Sequence, residues 1–198
     1  VLDFFLLAGD DIYDDLIGTS VVRLYERLNH WLKSNWKFQA RKNISYHYDL
    51  GNQFYREWLD KTMTYSSAIF KNKKEVLSTA QTNKYESICK NLNLKEGDRV
   101  LEIGCGWGGF AEHAIKTRGI KLTGLTLSQE QLDYSKKRMF ELGMADKSSF
   151  LLQDYRDEKG VYDGVVSIEM FEAVGEKYWP IYFKTVKNSL KSGGLGCL

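Results

Sequence analysis

Cysteine, histidine and proline are scarce in this 198-residue chain, and each shortage excludes something. The three cysteines, Cys89, Cys105 and Cys197, are odd in number and widely spaced, so they make no disulfide framework. With only His30, His47 and His113 beside them they form no paired zinc spacing, and no metal site is expected. A reducing, cytosolic setting is the simplest reading. The 28 basic residues barely exceed the 26 acidic ones, a net charge of +2, without the excess of a dedicated nucleic-acid binder. No apolar run approaches the ~20 residues needed to cross a bilayer. The opening Val1-Leu-Asp-Phe-Phe has neither the basic flank nor the cleavage site of a secretion signal. The chain does not begin with Met, from which we expect the natural start to lie upstream.

What is present, 43% hydrophobic and 27% charged residues, suits one globular core. Charge is unevenly spread: residues 1–20 carry five acids and no base, whereas residues 21–44 carry six bases against Glu26 alone. Between Val21 and Phe38, Val21, Leu24, Tyr25, Leu28, Trp31 and Leu32 fall at three- and four-residue steps, an apolar helical stripe opposite a basic face. Such a helix either packs on the core or lies in a membrane interface, with Lys and Arg meeting anionic lipid. From about Lys84 the pattern alternates. Strands are expected at Arg99–Ile103, Lys121–Thr126, Ser149–Gln153 and Gly164–Ile168. Helices are expected from Phe110 to Lys116, from Gln129 to Leu142 and from Trp179 to Leu190. Ser128 caps the second of these helices, Gly143 stops it, and Pro180 sits in the first turn of the third. Lys191-Ser-Gly-Gly194 reads as a turn and Leu195 as the start of a fifth strand. Strands separated by helices predict an α/β fold with a parallel sheet and right-handed crossovers, cut short at its C-terminus.

Val100-Leu-Glu-Ile-Gly-Cys-Gly-Trp-Gly-Gly109 carries the most chemical information. A buried strand feeds a turn where Gly104, Gly106 and Gly108 lack Cβ atoms, so a ligand can lie on bare backbone. The G-x-G-x-G spacing is neither the dinucleotide fingerprint nor a phosphate loop. Glu102, just before the turn, suits a ligand with amino groups or a positive centre. Together these point to a nucleoside-type ligand, although glycines also serve tight strand-to-helix packing. A nicotinamide enzyme would normally place an acid at the end of the second strand; here Gly124-Leu-Thr-Leu-Ser-Gln-Glu-Gln131 offers hydroxyls and an amide. Ser128 there either meets a ribose or simply caps a helix. Asp154 could accept from an adenine amino group and Tyr155 could stack on its ring, or Asp154 begins a polar turn.

Five ordered motifs, Tyr46-His-Tyr-Asp-Leu-Gly-Asn52, Met63-Thr-Tyr-Ser-Ser-Ala68, Leu101 to Gly109, Leu125-Thr-Leu-Ser-Gln-Glu-Gln131 and Glu169-Met-Phe-Glu-Ala-Val-Gly175, resemble the cyclopropane-fatty-acyl-phospholipid synthase family, which includes the mycolic acid cyclopropane synthases. The resemblance covers roughly residues 40–198. It implies a Rossmann-like class I S-adenosylmethionine-dependent methyltransferase sheet, its last strands missing, behind an N-terminal helical segment. That segment, residues 1–83, would face lipid and cover the active site, and residues 84–198 would bind S-adenosylmethionine. Tyr65 and Ser66 would touch this co-substrate, as would Gly104, Cys105, Gly106, Trp107 and Gly108. Thr126, Leu127, Ser128 and Gln131 would meet its ribose, and Asp154, Tyr155 and Arg156 its adenine. Glu172, with the hydroxyl of Ser67, would hold a bicarbonate ion beside the transferred methyl group. Many members carry Cys where this chain has Ser67, and read Phe-Glu-His where it has Phe171-Glu-Ala173, which marks a subgroup. The family's later His and Tyr around the bicarbonate lie beyond Leu198.

The implied reaction adds a methylene bridge across the cis double bond of an unsaturated acyl chain in a membrane phospholipid. A methyl- or methylene-branched product, a small soluble methyl acceptor and a binding-only fragment are the competing readings. An alkene is a weak nucleophile, so its alkylation needs a sulfonium and leaves a carbocation. The protein must exclude water, stabilise positive charge without a nucleophile and take up a proton. Aromatic faces serve the second need, at roughly 0.5–2 kcal/mol each; Tyr46, Tyr48, Tyr65 and Phe171 are candidates, though each could equally serve the core. A bilayer-resident substrate favours the basic, Trp-bearing helix as a docking surface and a cytoplasmic protein peripherally attached to the inner membrane face. A homodimer is left open.

Overall fold

The structure, a computed structural model, describes residues 51–198. The helix expected between Val21 and Phe38, and the rings of Tyr46 and Tyr48, lie outside the described residues. Two helices lead in, α1 (Gly51–Arg56) and α2 (Leu77–Asn91). Then come β1 (Arg99–Ile103), α3 (Gly109–Arg118), β2 (Lys121–Thr126), α4 (Gln129–Glu141), β3 (Ser148–Leu152), β4 (Tyr162–Val166), α5 (Trp179–Asn188) and β5 (Leu190–Cys197). Helix α2 runs across residues 83 and 84, where the sequence reading divides the chain.

All strand pairings are parallel, in the order β3-β2-β1-β4-β5. A central parallel strand is buried on both faces and so reads as a continuous aliphatic run. In β1, Val100 packs with Tyr85, Ile88, Phe110, Leu122 and Phe150 on one face. Leu101 and Ile103 pack with Leu125, Val165, Tyr182 and Val186 on the other. Helices α2, α3 and α4 thus cover one face and α5 the opposite one. The chain reverses its direction of strand addition between β1 and β4, leaving a crevice beyond their carboxyl ends, where α/β sheets bind ligands.

Local capping follows the sequence closely. The Ser128 hydroxyl accepts from the Gln131 amide at 3.3 Å and opens α4. Pro180 lies in the first turn of α5. Several boundaries differ from expectation. β3 starts one residue earlier, at Ser148, and β4 two earlier, at Tyr162, because each begins where a backbone partner does, Leu122 for Ser148 and Leu190 for Tyr162. Lys191–Gly194 is no turn but part of β5, and α5 stops at Asn188. Tyr162 pairs with Leu190 and Gly164 with Leu195, so the surplus residues of β5 are taken up as an irregularity in the ladder. Strand pairing overrides the turn propensity of Ser192-Gly-Gly194.

Candidate active site

The turn after β1 is tied down on its inner side and open on its outer side. The Gly104 and Cys105 amides both donate to the Leu125 carbonyl of β2, at 3.0 and 2.9 Å. At Gly106 φ is +51°, and no atom lies within 4 Å of where a Cβ would stand. At Gly104 φ is +82°, and a Cβ would meet Met170 Cγ at 3.0 Å. Behind the turn, the Ser135 hydroxyl donates to the Gly106 carbonyl at 3.0 Å. Arg138 Nη1 donates to the Trp107 carbonyl at 3.1 Å and to the Thr62 carbonyl at 2.9 Å, while its other nitrogens pair with Glu112. Cys105 is buried, and burial pushes its thiol well above the usual range, so it packs and does not react.

Glu102 is 3% exposed, and its Oε2 has no hydrogen-bond partner among the described residues. Burial raises its carboxyl well above the ordinary carboxylate range, against the pull of Arg138 and Lys84. At the end of β2 the polar side chains satisfy one another. The Thr126 hydroxyl donates to Gln131 Oε1 at 2.8 Å and accepts from the Ser128 amide at 3.1 Å. Leu127 stands half-buried among them. After β3, Asp154 is engaged by Arg156, whose backbone amide, Nε and Nη2 donate to it at 2.9, 2.8 and 2.6 Å. Asp154 therefore opens the turn Tyr155–Asp157, and the Arg156 guanidinium lies 5.5 Å from the Tyr155 ring and 5.7 Å from that of Tyr178.

The segment Met63–Ala68 reaches this edge through contacts that sequence reasoning missed. Lys84, on α2, donates to the Ser66 hydroxyl at 2.5 Å and to the Ser67 carbonyl at 2.7 Å. It is buried, which lowers its pKa to about 8, while Glu169, Asp60 and Glu102 pull the other way. Gln81 Nε2 holds the Ser66 carbonyl at 2.7 Å. Tyr65 is half-exposed, its ring 5.5 Å from Trp58 and 6.1 Å from Tyr55, and the Tyr55 ring lies tilted 4.9 Å from Trp107 of the glycine turn. Trp107 Nε1 donates to Asn52 Oδ1 at 2.5 Å, and Asn52 Nδ2 to Glu130 at 2.9 Å.

Ser67 meets Glu169 and not Glu172. Its backbone amide donates to Glu169 Oε1 at 2.9 Å, and its hydroxyl donates to the same oxygen. Glu172 lies exposed in the turn Phe171–Ala173. There the Phe171 ring packs 5.0 Å from Trp179 and 5.3 Å from Tyr182. The Ser67 hydroxyl that the resemblance assigns to a bicarbonate ion is thus occupied by a carboxylate of the chain itself, and Glu172 does not share it, so the residues present do not fit that ion. The sequence signal for Glu169 was its place at the head of the fifth motif; Lys84, inside an unremarkable helix, gave none. Among the described residues no group of three or more His, Cys, Asp or Glu could hold a metal, and no helix is long and apolar enough to cross a membrane.

Comparison with known proteins accords with this geometry. The "Probable fatty acid methyltransferase" of Pseudomonas putida is 42% identical over 165 residues, which are 82% of this chain and 42% of that protein. The "Cyclopropane-fatty-acyl-phospholipid synthase" of Escherichia coli K12 is 42% identical over 149 residues, 75% of this chain and 38% of that protein. The chain thus spans about two fifths of the length of these relatives. The crystal structure of mycolic acid cyclopropane synthase CmaA1, complexed with SAH and CTAB, aligns with TM-score 0.74 at 30% identity, over 77% of this chain and 53% of that one. The sheet is accordingly the Rossmann-like class I methyltransferase sheet. Residues 35–198 match the family described as mycolic acid cyclopropane synthetase, and to that family the chain belongs.

Proposed function

We propose that this chain carries the S-adenosylmethionine site of a methyltransferase acting on the cis double bond of an unsaturated acyl chain in a membrane phospholipid, closing a cyclopropane ring. The observation that carries the reading is the open space over Gly106 at the β1/β4 crevice, a cradle that any Cβ would begin to fill. The unpartnered, buried Oε2 of Glu102 in the strand feeding that turn also fits a ligand with amino groups and a positive centre. Residues Gly104 to Gly108 would hold the methionine part, Thr126 to Gln131 the ribose side and Tyr155 the adenine. Tyr65 and Ser66, fixed by Lys84, would close over it. When bound, the sulfonium supplies an electrophilic methyl group. The chain's own contribution is to exclude water and to present aromatic faces, Tyr65 and Phe171, to developing positive charge. The E. coli and P. putida relatives are named for fatty-acyl substrates, which supports an acyl acceptor. Such a substrate requires work at a bilayer surface, so we infer a cytoplasmic protein attached peripherally to the inner face.

The test is direct. The full chain should bind S-adenosylhomocysteine in calorimetry and transfer labelled methyl from S-adenosylmethionine to vesicles of unsaturated phospholipid. Mass spectrometry before and after hydrogenation separates a ring from a methylene branch. A branched product would favour the second reading, to which the fatty acid methyltransferase relative lends weight. Transfer to soluble acceptors alone would overturn both.

A further inference from the structure

We infer that Glu169 is the base that removes the proton in this reaction, its carboxylate standing where the resemblance expects a bicarbonate ion. The inference rests on the functional reading above. Four observations carry it. First, two donors of Ser67, the backbone amide at 2.9 Å and the side-chain hydroxyl, converge on Glu169 Oε1, a geometry that holds an anion. Second, Oε2 of Glu169 takes no hydrogen bond among the described residues, and the side chain is exposed to whatever enters the crevice. Third, Glu169 has φ +47°, a left-handed conformation that costs a residue with a Cβ about 1–2 kcal/mol and that glycine would adopt freely. Strain of this sort persists where surrounding structure enforces it, often at a functional site. Fourth, the next residue, Met170, overhangs Gly104, and Lys84 grips the Ser67 carbonyl, so the carboxylate is anchored beside the glycine turn.

The chemistry balances without a further reactant. An alkene carbon bonds to the methyl carbon as the methyl–sulfur bond breaks, leaving S-adenosylhomocysteine and a cation on the other alkene carbon. A C–H electron pair of the new methyl group closes the ring, and the released proton passes to Oε2 of Glu169 and then to water. The methyl C–H is one carbon removed from the cationic carbon and is acidified as its electron pair forms the third ring bond, so a carboxylate suffices as acceptor. The two bonds from Ser67 fix its position, which favours proton uptake over addition to the cation.

The experiment compares the full chain with Glu169→Gln and Glu169→Gly in buffer stripped of carbon dioxide, with and without added bicarbonate. Three readouts are taken: S-adenosylhomocysteine affinity by calorimetry, methyl transfer to dioleoyl phosphatidylglycerol vesicles, and melting temperature. The unaltered chain should transfer equally well with and without bicarbonate. Glu169→Gln should lose roughly a hundredfold or more in transfer, the usual worth of a general base, with affinity kept within about threefold. Glu169→Gly, suited to the local φ, should fold, regain transfer when bicarbonate is added, and melt higher in its presence, whereas the unaltered chain should not. A bicarbonate requirement in the unaltered chain, near-normal transfer by Glu169→Gln, or parallel loss of affinity and transfer would each overturn the role of Glu169. An unaltered chain that binds S-adenosylhomocysteine yet methylates no lipid overturns the functional reading as well.

Discussion

Glu102 and Lys84 are both buried at the site, and burial acts on them in opposite directions. Desolvation holds the Glu102 carboxyl well above the pKa of ~4.3 that it has unfolded. A raised folded pKa contributes stability that is complete below about pH 4.3 and lost as pH rises through the folded value. Glu102→Gln should therefore stabilise the chain near neutral pH by about 1 kcal/mol or more, and the gain should vanish towards about pH 4; urea unfolding across that range checks it. Lys84 is lowered to about 8. Between that value and the ~10.4 of an unfolded lysine, its contribution to stability rises with pH, because only the unfolded chain still holds the proton. Its ammonium, however, is what grips Ser66 and Ser67. S-adenosylhomocysteine affinity should thus fall above about pH 8 while stability does not. Lys84→Met should bind about tenfold more weakly and show no alkaline limb, whereas Lys84→Arg should keep the affinity and lose the limb. Calorimetry over that pH range decides. Neither residue's behaviour is written in its local sequence: Glu102 was legible as a candidate from its place before the glycines, but its missing partner depends on what the sheet and α2 bring around it.

The strand–glycine–helix unit from Arg99 to Arg118 is the element most nearly specified by its own residues. An aliphatic strand, positive-φ positions that glycine fills, and a helix starting at Gly109 all follow from local rules. The same holds for α4 with its Ser128 cap. At this scale Gly106→Ala is informative, because the added Cβ meets no atom within 4 Å and strains only φ +51°. It should cost about 1–2 kcal/mol of stability in thermal unfolding. If the cradle holds the methionine part of the ligand, S-adenosylhomocysteine affinity should drop about tenfold or more, beyond what that strain explains. Equal affinity would remove the cradle. β5 is the opposite case: its Lys-Ser-Gly-Gly stretch prefers a turn, and only the free edge of β4 draws it into the sheet.

Across the molecule, the site is assembled from segments far apart in sequence, and side chains do the joining. Arg138 of α4 ties Thr62 of the leading segment to Trp107 of the glycine turn, and Asn52 links Trp107 to Glu130. Arg138→Met should leave two carbonyls and Glu112 without their partner and cost about 2–4 kcal/mol in urea unfolding. Faster amide exchange around residues 52–67 should accompany the loss. A smaller effect confined to α4 would mean that the segment is held elsewhere. By itself the amino-acid order determined the alternating strands and helices, the parallel sheet and the ligand-bearing turn. All of these rest on periodicity, glycine and capping within a dozen neighbouring residues. The tertiary structure alone decided that Lys84 reaches Ser66 and Ser67, and that Ser67 faces Glu169 in place of Glu172. Those pairings join residues by the angle of one strand end to a distant loop, a quantity that no local pattern encodes.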